Sequence, residues 1–195
     1  MLDVGCGTGA HLPRFAERFD VTGVDLSPQM LEIAGRRSPD TRLLPGDFRT
    51  FDVGRRFDAI VCLFSGIGYL TELEDLHAAI KNFASHLESG GVVLVEGWVE
   101  PEHWLGSSVN AESVRGDGIA VARVVRSAHQ GVHCDLEMRY TIATTSEFRT
   151  IDESHRMRLS VPEEFDSAFT AASLTFERLP HMLHNGRSVY VGAMG

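Results

Sequence analysis

The sequence predicts an α/β fold with a mostly parallel sheet and an inserted antiparallel β-meander, on the strength of three features. Up to about Trp98, short apolar or β-branched runs alternate with segments of helical period, the pattern of parallel strands joined by crossover helices. A glycine-rich turn, Asp3-Val4-Gly5-Cys6-Gly7-Thr8-Gly9, joins the first run to the first helical segment. Beyond Trp98, the residues Val132, Cys134, Leu136, Met138, Tyr140 and Ile142 alternate strictly with polar ones, the period of a half-buried strand.

Strands are expected at residues 2–4, 21–25, 42–44, 59–64 and 92–96. Between them, residues 8–19 carry Leu12, Phe15, Ala16 and Phe19 on one helical face, and Ser27-Pro28 reads as an N-cap followed by proline at the first helical position. Residues 72–87 place Leu73, Leu76, Ile80, Phe83 and Leu87 at three-and-four spacing, with Thr71 and Glu74 as a capping box. Runs at 119–127 and 149–161 flank the alternating strand through His129-Gln130-Gly131 and Thr144-Thr145-Ser146, which gives a three-stranded meander. A second box, Ser160 with Glu163, opens a helix bearing Phe165 and Phe169, and strands near 174–179 and 188–191 follow. The expected organisation is a core over 1–98, an inserted antiparallel β subdomain over 99–161, and a helix with strands over 162–195 that completes the core.

The chain's 195 residues suit one domain, and its 43% apolar and 23% charged content is ordinary for a globular protein. Eighteen basic against 27 acidic residues give a net charge of −9, and Lys81 is the one lysine, so no basic surface exists to bind nucleic acid by counterion release. The apolar run at 59–64 is far below the roughly 18–20 residues that span a bilayer, so no membrane partner and a cytoplasmic location are expected. Cys6, Cys62 and Cys134 form no C-x-x-C and read as reduced and buried. Neither His129 with His133 nor His181 with His184 has an evident third ligand, so no metal site is expected.

Glycines in the first turn allow positive φ and close approach of backbone to a ligand. With Ala10 the turn also satisfies the dinucleotide fingerprint G-x-G-x-x-A, and Asp25, at the end of the second strand, could hold a ribose in either kind of site. Three features favour a nucleoside carrying an amino acid. Asp3 would repel a pyrophosphate but attract an ammonium. Gly46-Asp47-Phe48 offers a carboxylate for an adenine amino group beside an aromatic face, and Asp58 begins an apolar strand that ends at Leu63-Phe64-Ser65, on the carboxyl edge where open α/β sheets bind ligands.

In these residues the chain resembles the class I S-adenosylmethionine-dependent methyltransferases, with their Rossmann-like fold. The resemblance implies that Asp3, Gly5, Gly7 and Gly9 cradle the methionine moiety of S-adenosyl-L-methionine and that Asp25, with Leu26 beside it, binds the ribose. It also implies that Met30 packs on adenine, Asp47 and Phe48 complete the adenine site, and Leu63 and Phe64 lie beside the sulfonium. Met30 by itself would read as a core methionine.

A narrower resemblance covers nearly the whole chain. Phe64-Ser65-Gly66-Ile67-Gly68-Tyr69-Leu70, Gly90-Gly91-Val92-Val93-Leu94-Val95-Glu96-Gly97-Trp98, Glu153-Ser154-His155-Arg156 and Ala168-Phe169-Thr170-Ala171-Ala172 are similar to the sugar N,N-dimethyltransferases. Those enzymes methylate nucleotide-linked amino-deoxysugars of macrolide antibiotic pathways. Departures occur where the family tends to carry E-P-W-W-F-P and this chain has Glu96-Gly97-Trp98-Val99-Glu100-Pro101, and at Asn185-Gly186-Arg187, which partly matches a G-R-G segment. On this resemblance Tyr69, Glu96 and His155 are candidates to accept or relay a proton, Ser65 and Trp98 border the acceptor, and Arg187 meets its pyrophosphate.

The glycine loop lies only a few residues from Met1, whereas the resembling enzymes carry helices upstream of it, so a truncated N-terminus is expected. Two rival readings follow: a cofactor-binding module inactive as truncated, and a nicotinamide-dependent oxidoreductase. A small-molecule methyltransferase with another acceptor is a further alternative. The meander could cover the cleft or pair two copies as a homodimer.

Overall fold

A computed structural model describes residues 1–183 and 187–195, with side chains outside 181–186. A seven-stranded sheet is built from β1 (Leu2–Val4), β2 (Thr22–Asp25), β3 (Arg42–Pro45), β4 (Phe57–Cys62), β5 (Leu87–Val99), β10 (Glu177–Leu183) and β11 (Arg187–Ala193) in the order β10-β11-β5-β4-β1-β2-β3. β1, β2, β3, β4 and β5 pair in parallel, and β11 runs antiparallel to β5. Strand order reverses at β1, between β2 on one side and β4 on the other. Such a switch point leaves a crevice at the carboxyl ends of the strands.

The sheet is buried on both faces. On one side, Cys6, Leu12, Val21 and Ala34 pack under α1 (Leu12–Ala16) and α2 (Pro28–Arg37). The larger cluster joins Leu2, Ile60, Val93 and Val95 to Leu76, Ile80 and Phe83 of α3 (Leu73–Ser85), and Phe165 and Phe169 of α4 (Pro162–Ala171) to Tyr190. Phe165 stacks on Tyr190 at 3.9 Å between ring centroids. The three cysteines are buried and unpaired, as their spacing implied.

Four strands rather than three form the inserted sheet: β6 (Ser108–Gly116), β7 (Ile119–Gln130), β8 (His133–Thr144) and β9 (Phe148–Arg158), paired in sequence order. β6 is an edge strand with every residue exposed, so no apolar period marked it in the sequence. Cys134, Met157 and Leu159 anchor the sheet to Trp98 and Trp104.

Several local expectations yield to tertiary contacts. The first helix keeps only Leu12–Ala16 of the expected 8–19. Thr71 does not cap α3. Its carbonyl is within hydrogen-bond reach of His133 Nε2 at 3.0 Å and accepts from Arg158 at 3.3 Å, and the N-cap passes to Glu72. Nor does Ser160 form a box with Glu163, because α4 starts one residue later and Glu164 accepts the Val161 N–H at 3.2 Å. The segments His181 to His184 and Asn185-Gly186 lie outside the described residues in whole or in part.

Candidate active site

The glycine loop follows β1 directly. Gly5, Gly7 and Gly9 take φ of +73°, +53° and +71°, a region that side chains resist, and the N–H groups of Gly5 and Cys6 both donate to Val24 O. A Cβ at Gly5 would stand 2.8 Å from the Phe48 ring, whereas Gly7 faces open space. Asp25 fastens the loop, with Oδ2 accepting from Gly7 N–H at 2.7 Å and Oδ1 from Ser27 N–H at 2.9 Å. Ser27 caps α2 by accepting from Met30 N–H, as the sequence implied.

Asp3 is buried at the loop's base, and its Oδ2 has no hydrogen-bond partner. Burial, and then the neighbouring Asp25 carboxylate, push its pKa up to about 7. An unpartnered buried carboxyl calls for a cationic donor. Around the same edge Leu26, Met30 and Phe64 are 69%, 41% and 79% exposed, an apolar rim without protein cover. Asp47 is less free than expected. Arg49 grips both of its oxygens at 2.6 and 2.8 Å and holds its carboxyl below the usual range, so an adenine amino group would share them.

The fourth strand ends in a strained corner. Phe64 and Ser65 both take φ of 58°, costly for residues with a Cβ. Glu96 holds them there: Oε2 accepts the Phe64 N–H at 2.7 Å and Oε1 accepts the Ser65 hydroxyl at 3.1 Å, while Ser65 is also 2.7 Å from Gly97 O. Arg187 donates to the same carboxylate at 3.3 Å and stacks 4.6 Å above Trp98, whose indole N–H points to Cys134 Sγ. Glu96, Ser65, Trp98 and Arg187 thus form one cluster. Glu96 clamps the corner, with three of its acceptor positions in use. Leu63, half-buried, lies at the start of this corner.

Tyr69 ends the 3-10 turn Gly66–Tyr69 that follows, and its hydroxyl lies 2.8 Å from His155 Nδ1 on β9. Burial, then Glu153 and Tyr140, raise the phenol's pKa and keep it protonated. The sequence had suggested these two residues separately, and the fold joins them. Sequence reading missed Glu100, which is buried at the end of β5. It accepts from Ser188 at 2.6 Å, Tyr190 at 3.0 Å and Arg178 at 2.5 Å. Burial opposes its ionisation, but those three partners prevail and hold its pKa low. Glu100 thereby pins the β10–β11 hairpin that carries Arg187. Its only signal in the sequence was the departure from E-P-W-W-F-P.

A methyltransferase-domain family profile matches residues 1–91. The match to a dTDP-3-amino-3,4,6-trideoxy-alpha-D-glucopyranose N,N-dimethyltransferase of Streptomyces venezuelae goes much further, at 44% identity over 194 residues, 98% of this chain and 81% of that one. The chain belongs to the sugar N,N-dimethyltransferase family. Among solved members, Streptomyces venezuelae DesVI superposes with a TM-score of 0.94 at 43% identity, covering 100% of this chain and 83% of that one. CalS10, an amino pentose methyltransferase from Micromonospora echinaspora solved with S-adenosylmethionine bound, gives 0.90 at 39%, covering 100% and 82%.

The sugar N,N-dimethyltransferases use S-adenosylmethionine, and the residues present here fit it. The orphaned Asp3 oxygen suits its ammonium, Asp25 its ribose, the open space over Gly7 its approach, and Leu26, Met30 and Phe64 its apolar surfaces. The class I methyltransferase fold, with its parallel core and separate antiparallel sheet, is the one the sequence predicted.

Proposed function

We propose that this enzyme methylates the amino group of a nucleotide-linked deoxyamino sugar. What carries the reading is that similarity to an amino-sugar N,N-dimethyltransferase continues past the cofactor-binding residues, through the antiparallel sheet and the hairpin that carries Arg187. The cofactor supplies an electrophilic methyl group. The chain's part is chiefly positioning: Asp3 and Asp25 fix the donor, the Phe64–Ser65 corner shapes the wall between donor and acceptor, and Arg187, steadied by Glu96 and Trp98, offers a guanidinium to the nucleotide pyrophosphate.

Incubation with S-adenosylmethionine and dTDP-amino sugars, read by mass spectrometry, is expected to show one or two methyl additions. Calorimetry is expected to show S-adenosylhomocysteine binding and no NADH binding. Cofactor binding without methylation of any such sugar would sink the acceptor reading, and NADH binding would revive the oxidoreductase.

One face of the inserted sheet groups Val114, Ile119, Val121, Ile142 and Ile151 at the end away from Trp98, with Glu112, Arg123 and Arg149 beside them, and Val114 is 68% exposed. A second copy laid on it by a two-fold axis would bury it against itself. Light scattering is expected to give a dimer, and Val114→Glu with Ile119→Glu a monomer. A wild-type monomer would exclude the assembly. No helix among the described residues is long and apolar enough to cross a membrane. Three free cysteines suit a reducing compartment, and we place the enzyme in the cytoplasm.

A further inference from the structure

We infer that Glu153, through His155, fixes the Tyr69 hydroxyl as a hydrogen-bond acceptor toward the substrate amine, so that the amine is held without blocking its lone pair. The inference rests on the amino-sugar reading above. His155 lies between two partners, with Nδ1 at 2.8 Å from Tyr69 Oη and Nε2 at 3.4 Å from Glu153 Oε2. A carboxylate accepts at this contact, so the imidazole tautomer it selects carries its proton on Nε2. Nδ1 is then bare, and the phenol is the donor in the short bond. Tyr69 has one proton, and it is used.

The consequence concerns the chemistry of an amine. A neutral amine has one lone pair, and that pair is the nucleophile. A phenol with a free proton would donate to the lone pair and hold it away from the methyl group. A phenol whose proton is committed to His155 offers the amine only oxygen lone pairs, which accept an N–H and leave the nitrogen pair free. Tyr69, half-exposed beyond the Phe64–Ser65 corner, is the group that touches the acceptor, and His155 and Glu153 are positioning residues.

The polarity makes an unusual ordering of variants. Tyr69→Phe removes both donor and acceptor and is expected to lower kcat several-fold. His155→Phe keeps the phenol but frees its proton, and is expected to lower kcat by about tenfold or more, the cost of a hydrogen bond that must be broken before attack. Calorimetric affinity of the amino-sugar nucleotide for the S-adenosylhomocysteine complex is expected to be unchanged or tighter in His155→Phe. In a Tyr69→Phe background, His155→Phe is expected to add nothing. Glu153 is partly exposed, so Glu153→Leu tests the same point with little risk to folding; its kcat is expected to fall further than that of Glu153→Gln, which retains an acceptor.

A His155→Phe loss no larger than that of Tyr69→Phe, or an undiminished loss in the Tyr69→Phe background, would overturn the inference. If the wild type methylates no amino-sugar nucleotide, the acceptor reading fails instead. The inference is then read separately by nitrogen-15 NMR of the imidazole, where a proton on Nδ1 of His155 overturns it and a proton on Nε2 supports it.

Discussion

Asp3→Asn is expected to weaken S-adenosylhomocysteine binding by about 100-fold or more, because a charge-assisted hydrogen bond to the ligand ammonium is lost. The same substitution is expected to raise the melting temperature of the ligand-free protein near neutral pH. Asp3 is buried, its Oδ2 is unpartnered, and its pKa lies at about 7 against 3.8 for the unfolded chain. Between those values the folded state binds a proton that the unfolded state does not. Asp3's own contribution to the stability of the ligand-free protein is therefore largest below 3.8 and is lost as pH rises to about 7. The slope approaches 1.4 kcal/mol per pH unit, roughly 4 kcal/mol in all. Asparagine keeps the shape and removes the charge, so the decline should vanish. Ligand binding should also release a proton from Asp3 below about pH 7, measurable by calorimetry in buffers of differing ionisation enthalpy. Thermal melts that are the same for both proteins across this pH range would contradict the account, as would binding within tenfold of wild type.

Glu96→Leu should cost more than the removal of a general base would suggest, because its carboxylate holds three groups at once. Phe64 N–H, the Ser65 hydroxyl and the Arg187 guanidinium all converge on it. Without it, two consecutive residues at φ 58° lose their main restraint, and a largely buried arginine is left uncompensated. A stability loss of about 3–5 kcal/mol is typical for breaking such a pair, so the melting temperature is expected to fall, and displacement of the corner and of Arg187 is expected to lower kcat/KM by about two to three orders of magnitude. Glu96→Gln keeps an oxygen for the corner and should fall between. S-adenosylhomocysteine affinity should change far less, since Asp3 and Asp25 are untouched. Steady-state kinetics and calorimetry together check this: a Glu96→Leu enzyme within tenfold of wild type would show that the corner stands without its clamp.

Much of this protein is written locally in its sequence. Gly5, Gly7 and Gly9 announce a backbone that other residues resist, Ser27-Pro28 announces the start of α2, and the apolar period of residues 72–87 announces α3, because φ preference, capping and periodicity act within a few residues. The candidate cofactor residues stood out as a pattern for the same reason: they lie in the turn after β1 and at the ends of β2, β3 and β4. Resemblance to a family supplied the acceptor chemistry, which no local pattern carries.

The tertiary structure decided what those side chains do. Glu96 reaches residues 31 and 32 positions away, and the Tyr69–His155 bond spans 86. Thr71 lost its capping role to contacts from His133 and Arg158, and Glu100 found Ser188, Tyr190 and Arg178 at the far end of the chain. β6 left no sequence signal because an exposed edge strand needs no apolar face. Periodicity determines which face of an element is buried. Which partner a buried polar group meets depends on how the elements are stacked, and only that stacking placed Glu96 where it clamps the Phe64–Ser65 corner.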